Sequence, residues 1–432
     1  MPILIMPVLV RQEVFANPVT LPKPSEGFKR RTIEFLREAL TITKKNVEAG
    51  LDSKVVGIMT TTGCHHRCAH CGEASPPYEK GKIISLDTVR AAGEKLGFEN
   101  VCLTGGEPLD HPDIVQIQLL TKGNIYATNG FSPFVHPREK WAAILKELDF
   151  GSHISFHLFD RWNGINEGRD AAIKYLLING KDVVMAFLTT PQNVKETLIA
   201  WLKTISRILD DAEMLRTPAT AVELGYSLAN LPIVGFSPVC SPVWKTGMAS
   251  KGFEGIWSEN VTVLSRADDS RERDLKGFSN SNGQVNGILL EPSGDLGSWF
   301  LSCPNWMEHK RARIGSSITD SKETIASRLT ETVLRFFTEN LDRKEEDWKR
   351  EVEQLVDNTA MCIEILRRQL HTYSDAGFTE ALAGLKEKLQ SLGLKEADVP
   401  NLSSERVDSV VQALRTRITS EINTAIGLIT KE

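Results

Sequence analysis

The sequence predicts an α/β fold built on a parallel sheet, lengthened by a small mixed segment and finished by helices. Three observations carry this reading. From Lys54 to about Leu231, short strand-like runs alternate with helical patterns, the mark of βα units joined by right-handed crossovers. After Leu231 the alternation stops, and residues 232–316 carry Pro232, Pro238, Pro242 and the Gly/Ser/Asn-rich stretch 266–283. From Ser321 onward, apolar residues recur at i, i+3, i+4 spacing, so the chain ends in helices.

Each element follows from local pattern. The apolar opening Met1–Val10 is broken by Pro7 and has neither a basic leader nor a small-residue cleavage site, so a strand is expected rather than a signal peptide. Pro-rich Pro18–Pro24 leads to a helix near Phe28–Val47, and residues 1–50 are expected to pack as an N-terminal extension. Val55–Thr60 is the first core strand. Ser85 caps a helix to about Leu96, with Val89, Ala92 and Leu96 as its apolar stripe. Val101–Thr104 is the second strand, followed by a helix over Asp113–Leu120. Asn124–Thr128 is the third, with a helix over Glu139–Leu148. His153–Phe159 is the fourth, before a helix through Ala171, Ala172, Tyr175 and Leu176. Asp182–Leu188 is the fifth, and the next helix carries Val194, Leu198, Leu202, Ile205 and Leu209 on one face. Ala221–Leu228 is the expected sixth strand. Further on, Gly287–Asp295 reads as a strand entering a Pro–Gly turn, followed by Trp299–Cys303 and Ala312–Gly315. The last seams are Trp348, Val352, Leu355, Cys362, Ile363, Leu366 and Leu370, then Val407, Val410, Leu414, Ile418 and Ile422. They predict a helical hairpin or bundle that stabilises or dimerises the chain, with Cys362 a small packed side chain.

With 432 residues the chain can hold two or three domains. A net charge of −5 gives no whole-chain attraction to nucleic acid or to an anionic membrane. No run is long enough to span a bilayer. Seven cysteines, an odd number with three in one loop, argue against a disulfide framework and for a reducing cytoplasm.

That loop is Gly63-Cys64-His65-His66-Arg67-Cys68-Ala69-His70-Cys71-Gly72. The spacing lets three thiolates converge on one soft-metal centre, with glycine at each end permitting tight backbone angles. Two centres fit the loop alone. Cys64, Cys68 and Cys71 with His65, His66 or His70 make a tetrahedral zinc site, or the cysteines hold three irons of a [4Fe–4S] cluster and leave the fourth open.

Some thirty residues on stands Val101-Cys102-Leu103-Thr104-Gly105-Gly106-Glu107-Pro108-Leu109, a short strand running into a Gly-Gly turn that presents a carboxylate. A cysteine loop after one strand and GGEP after the next resembles the radical SAM enzymes. The resemblance implies a partial (β/α)6 TIM-like barrel with chemistry at the C-terminal strand ends. It also implies a [4Fe–4S] cluster whose open iron binds S-adenosylmethionine (SAM). One electron then splits the sulfonium, and the 5′-deoxyadenosyl radical abstracts a substrate hydrogen.

On that resemblance Cys64, Cys68 and Cys71 are the cluster ligands. His70 stacks on adenine and backbone near Gly72 meets the adenine edge. Gly105 and Gly106 expose backbone to the SAM methionine, and Glu107 accepts from its ammonium. Thr128 and Asn129 lie where ribose or methionine contacts are made. In His153–Leu158, period two places His153, Ser155 and His157 on one face. Ser155 resembles a SAM-contacting residue, and His157 reaches SAM or substrate or makes a structural hydrogen bond. Arg169 reaches the SAM carboxylate or is an exposed helix arginine, the latter favoured. Leu188 walls the adenine or packs in the core.

Residues 232–316, together with Thr246–Ala249, are similar to a shortened SPASM/twitch extension. Such extensions hold auxiliary clusters, but Cys240 and Cys303 alone cannot complete a four-cysteine site. The domains expected are therefore 1–50, a core over 51–231, an extension over 232–316 without an auxiliary cluster, and a helical domain over 317–432. A redox-neutral elimination, rearrangement or epimerisation of a small metabolite, sugar- or aminoglycoside-like, is the expected reaction. Cys303 or Cys240 is a candidate thiol hydrogen donor or an inert buried small residue, the latter favoured. The expected partners are a small-molecule substrate before a peptide, a reductant such as flavodoxin or ferredoxin, and a second copy through the C-terminal helices. Radical modification of a ribosomally made peptide is the alternative enzyme reading. A zinc-stabilised interaction protein is the non-enzyme one.

Overall fold

The computed structural model describes residues 18–49, 56–66, 68, 71, 75–98, 101–125, 128–148, 152–156, 165–179, 183–210, 240–242, 288–298, 313–395 and 403–432. The fold is mixed α/β with a largely parallel sheet. β1 (Val56–Met59) is parallel to β2 (Val101–Thr104) on one side, and β2 to β3 (Asn124–Ile125). A second parallel sheet contains β4 (Ser152–Phe156), β5 (Val183–Thr189) and β6 (Cys240–Pro242). An isolated parallel bridge from Thr128 to Ile154 links the two sheets.

Two placements depart from the sequence reading. The described strand beside β5 is Cys240–Pro242, in the stretch assigned to the extension, while Ala221–Leu228 lies outside the described residues. The other side of β1 is taken by β7 (Ile288–Leu290), also parallel, with Val56 opposite Ile288. From β7 a tight turn, closed by Gly294 donating to the Glu291 carbonyl at 2.8 Å, leads to antiparallel β8 (Asp295–Ser298) and β9 (Arg313–Ser316). The expected strand and Pro–Gly turn are present, but they lengthen the main sheet. Thr246–Ala249 and Trp299–Cys303 lie outside the described residues.

Helices α1 (Glu26–Glu48), α2 (Leu86–Leu96), α3 (Ile114–Thr121), α4 (Trp141–Glu147), α5 (Ile165–Ile178) and α6 (Val194–Leu209) precede α7 (Lys322–Leu341), α8 (Glu345–Thr372), α9 (Ala376–Ser391) and α10 (Ser404–Ile429). Ser25, Ser85, Ser321 and Ser403 cap four of them, each hydroxyl accepting from a first-turn N–H. α6 contacts β5 and is covered in turn by α8 and α9. It therefore buries Leu198, Trp201, Leu202, Ile205 and Ile208, more than one stripe. Buried side chains of the sheets and of α7–α10 belong to one continuous core.

A second cluster joins α1 to α8 and α10 through Phe28, Ile33, Leu36, Trp348, Val352 and Ile429. The N-terminal helix thus packs on the C-terminal ones. Ser25 N–H donates to the Ile429 carbonyl at 2.8 Å and Arg31 to that of Glu432 at 2.9 Å. Burial pushes the half-buried Cys362 thiol up to about 12, which suits a packed side chain and not a nucleophile. No described helix is long and apolar enough to cross a membrane.

Candidate functional site

Parallel register brings the C-terminal ends of β1, β2 and β3 side by side. Thr60 N–H donates to the Thr104 carbonyl at 2.8 Å, and Gly106 N–H to that of Thr61 at 2.7 Å. The Gly-Gly turn after β2 is thereby pinned to the segment entering the cysteine loop. A Cβ on Gly106 would lie 2.0 Å from the Gly63 carbonyl oxygen, and Gly105 has φ +141°, so neither position accommodates a side chain without displacement. On its other flank Gly63 meets Gly81, where a Cβ would lie 2.4 Å from the Gly63 Cα. The cysteine loop starts between two turns in backbone-to-backbone contact.

Cys64 and Cys68 are buried and Cys71 is half-buried. His66 N–H donates to Cys64 Sγ and Ser75 N–H to Cys71 Sγ, each at 3.4 Å. Such donors favour the thiolate, the form that binds metal. Each described histidine of the loop turns one ring nitrogen to a partner outside the loop. His65 Nδ1 lies 3.0 Å from Asp110 Oδ2, and His66 Nε2 lies 3.2 Å from the Gly130 carbonyl, to which it must donate. Among the described residues no group of three or more His, Cys, Asp or Glu converges on one ion position. Cys64, Cys68 and Cys71 are soft thiolate donors, and N–H groups on two of the sulfurs suit the ligands of an iron–sulfur cluster.

Glu107 is fully buried. Its Oε1 accepts from Leu109 N–H at 3.1 Å and from the Thr128 hydroxyl, and its Oε2 from Asn129 N–H at 2.7 Å. Burial, with Asp110 adding to it, pushes the carboxyl up to about 8 against these hydrogen bonds. Burial holds His66 down at about 4. Both groups are therefore neutral near pH 7, and their 3.7 Å approach is no ion pair.

This has a consequence for stability in the cluster-free protein. Glu107 holds its proton more tightly folded than unfolded, so its stabilising contribution is complete below about pH 4.5 and is lost as pH rises through about 8. His66 runs the other way: stability rises with pH between about 4 and 6.5 and is complete above that. The slopes oppose each other below pH 6.5, leaving Glu107 unopposed by His66 from there to about 8. Over that window the unfolding free energy is expected to fall by at most about 1.4 kcal/mol per pH unit, the slope easing to about half that as pH approaches 8. Glu107→Gln should flatten the fall in denaturant titrations, and a wild-type curve already flat there would contradict the shift.

Asp110 is a hub that sequence reasoning missed. Fully buried, it holds His65 through Oδ2 and accepts from Ser132 N–H through Oδ1 at 3.0 Å, while its carbonyl accepts from Tyr78 OH at 3.0 Å. Three separate loops meet on it. The available signal was an aspartate three residues beyond a GGE turn, opposite a loop with consecutive histidines.

The remaining residues fall as follows. Thr128 and Asn129 sit on Glu107, as above. Arg169 is corrected: it is 2 % exposed rather than solvated, its guanidinium carbon 4.3 Å over the Phe156 ring. The cause is backbone packing, since Gly130 (φ +101°) presses against the backbone of Gly168 and Arg169 and draws the start of α5 under the Thr128–Gly130 turn. Ser155 lies in β4, Leu188 in β5 and Cys240 in β6, their side chains outside the described residues. His70, Gly72, His157 and Cys303 are likewise outside them. A cavity of about 810 Å³ opens beside Thr190 and Gln192, directly after β5, and is walled opposite by Asp357, Met361, Glu364 and Arg368 of α8.

The family model for the radical SAM superfamily matches residues 58–194, which hold the cysteine loop, the Gly-Gly turn, Thr128–Gly130 and Arg169. The solved structure of native anSMEcpe with bound AdoMet and Cp18Cys peptide is similar over 79 % of this chain and 99 % of its own, at 13 % identity and a TM-score of 0.36. No curated protein gives a significant match.

Proposed function

We propose that this chain, which carries a radical SAM domain over residues 58–194, cleaves SAM reductively and turns over a small metabolite without net oxidation. Radical SAM proteins use a [4Fe–4S] cluster and SAM, which together supply a 5′-deoxyadenosyl radical able to abstract hydrogen from an unactivated carbon. The observation that carries the reading is the three-cysteine loop of Cys64, Cys68 and Cys71, pinned through Thr61 and Gly63 against the Gly105–Glu107 turn.

On this reading the three cysteines hold the cluster. Gly105 and Gly106 offer backbone to the methionine part of SAM, whose amino group meets Glu107. Thr128 and Asn129 aim that carboxyl by donating to it. Arg169 lends positive charge beneath the same turn. His70, Gly72, Ser155, His157 and Leu188 complete the SAM site, and Cys303 or Cys240 serves as hydrogen donor. The catalytic core is a partial (β/α)6 barrel reaching Cys240–Pro242. The cavity after β5 lies at the strand end expected for substrate, and its volume is of metabolite size.

Anaerobic reconstitution with iron and sulfide, then dithionite and SAM, tests the reading by mass spectrometry of the products. 5′-Deoxyadenosine is expected, in excess over a SAM-only control. Its absence from a fully loaded protein would contradict the proposal.

A further inference from the structure

Binding of a cluster and SAM accounts for Glu107 but leaves Asp110, a fully buried acid three residues further on, without a part. Asp110 closes the short helical turn Pro108–Asp110, its N–H donating to the Glu107 carbonyl at 3.0 Å. Three grips on the His65 ring lead back to this residue. His65 Nδ1 lies 3.0 Å from Asp110 Oδ2. The imidazole stacks on Tyr78 with ring centres 4.3 Å apart, and the Tyr78 hydroxyl donates to the Asp110 carbonyl at 3.0 Å. It also stacks on Phe134 at 5.3 Å. Phe134 N–H donates to Ser132 Oγ at 3.2 Å, and Ser132 N–H to Asp110 Oδ1 at 3.0 Å. The His65 side chain is 9 % exposed in this socket.

His65 directly follows Cys64, and the peptide joining it to His66 carries the N–H that donates to Cys64 Sγ at 3.4 Å. A ring held at one nitrogen and by two stacking partners restrains the backbone at residue 65, and with it that peptide. Groups behind a ligand, and hydrogen bonds to its sulfur, retain and tune a metal centre. We propose that Asp110 is a positioning residue for the cluster: acting through His65, it holds Cys64 in place and aims the His66 N–H at that sulfur. The inference rests on the proposed function only in taking Cys64 as a cluster ligand. A carboxylate is required here. Ser132 N–H can only donate, and His65 Nδ1 beside an aspartate oxygen must carry a proton. An asparagine of the same shape has one oxygen, which Ser132 takes, so its NH2 turns to His65. Nδ1 must then be bare, and the ring proton sits on Nε2, which faces Glu79 at 4.0 Å.

The test combines Asp110→Asn, His65→Ala and the double variant. Long-range proton–nitrogen spectra of the imidazoles in cluster-free protein, above neutral pH, place the ring proton, with His65→Ala identifying the His65 signals. A proton on Nδ1 is expected in the wild type and on Nε2 alone in Asp110→Asn. After reconstitution, iron release to a chelator is expected to be about tenfold faster in either single variant and no faster again in the double, since both changes remove one restraint. The reduction potential of His65→Ala is expected to be more negative than that of the wild type, because the misaimed N–H no longer stabilises the added charge of the reduced cluster. A role confined to folding would leave ring proton and potential unmoved. The same tautomer in Asp110→Asn as in the wild type, or release rates that multiply in the double variant, would overturn the assignment. If Asp110→Asn does not fold, His65→Ala decides alone: faster release with a lowered potential upholds the proposal, and wild-type release or an unmoved potential overturns it. The tautomer needs no cluster, so a loaded protein that forms no 5′-deoxyadenosine defeats the proposed function, whereas the spectra judge the socket.

Discussion

Gly106→Ala is expected to cost about 1–3 kcal/mol of stability and to abolish most cluster incorporation. The new methyl would stand 2.0 Å from the Gly63 carbonyl oxygen and 2.5 Å from its carbon, both backbone atoms that cannot rotate aside. The turn cannot yield either, because Gly106 N–H is held by the Thr61 carbonyl at 2.7 Å. Relief must come from parting the Gly-Gly turn from the cysteine loop, which moves Cys64 away from its partners. Gly384→Ala is the control, since a Cβ there meets nothing within 4 Å on helix α9 and should stabilise by about 0.5–1 kcal/mol. Denaturant unfolding and iron per chain read both effects. Full iron content in Gly106→Ala would show that the close approach is not needed.

Cys68→Ser is expected to remove iron almost wholly while leaving the fold intact. Cys68 is buried in the loop, and serine's harder oxygen, protonated at neutral pH, is a poor replacement for a thiolate on iron. The core lies elsewhere, on β1–β9 and the helices, so the cluster-free variant should unfold within about 0.5 kcal/mol of cluster-free wild type. Retention of iron and of visible absorbance would remove Cys68 from the ligand set. Unfolding of the variant as isolated would show instead that the thiol is a packing residue.

The parts of this site that could be read from sequence are those encoded by local spacing. Cys64, Cys68 and Cys71 lie within one loop, and Gly105–Glu107 follow their strand directly, so neither needs knowledge of distant neighbours. The stripe on α6 was legible for the same reason, although its burial on further sides by α8 and α9 was not. Pairing between distant segments was the weak point. β6 is three residues bounded by proline at Pro242, and β7 pairs with β1 more than two hundred residues away, so periodicity could register neither partner. Arg169 looks like a solvated helix residue until Gly130 and Gly168 bring two backbones together above it. Asp110 and His65 are unremarkable apart and become a buried pair only once β1 and β2 align their ends.

The most direct test of the central claim is electron paramagnetic resonance of the reduced, reconstituted protein before and after addition of SAM. A cluster signal whose g-values shift when SAM binds is the predicted result, because an iron without a protein ligand changes its coordination. A cluster signal unmoved by saturating SAM, or no cluster signal in a protein loaded with iron and sulfide, would contradict the account.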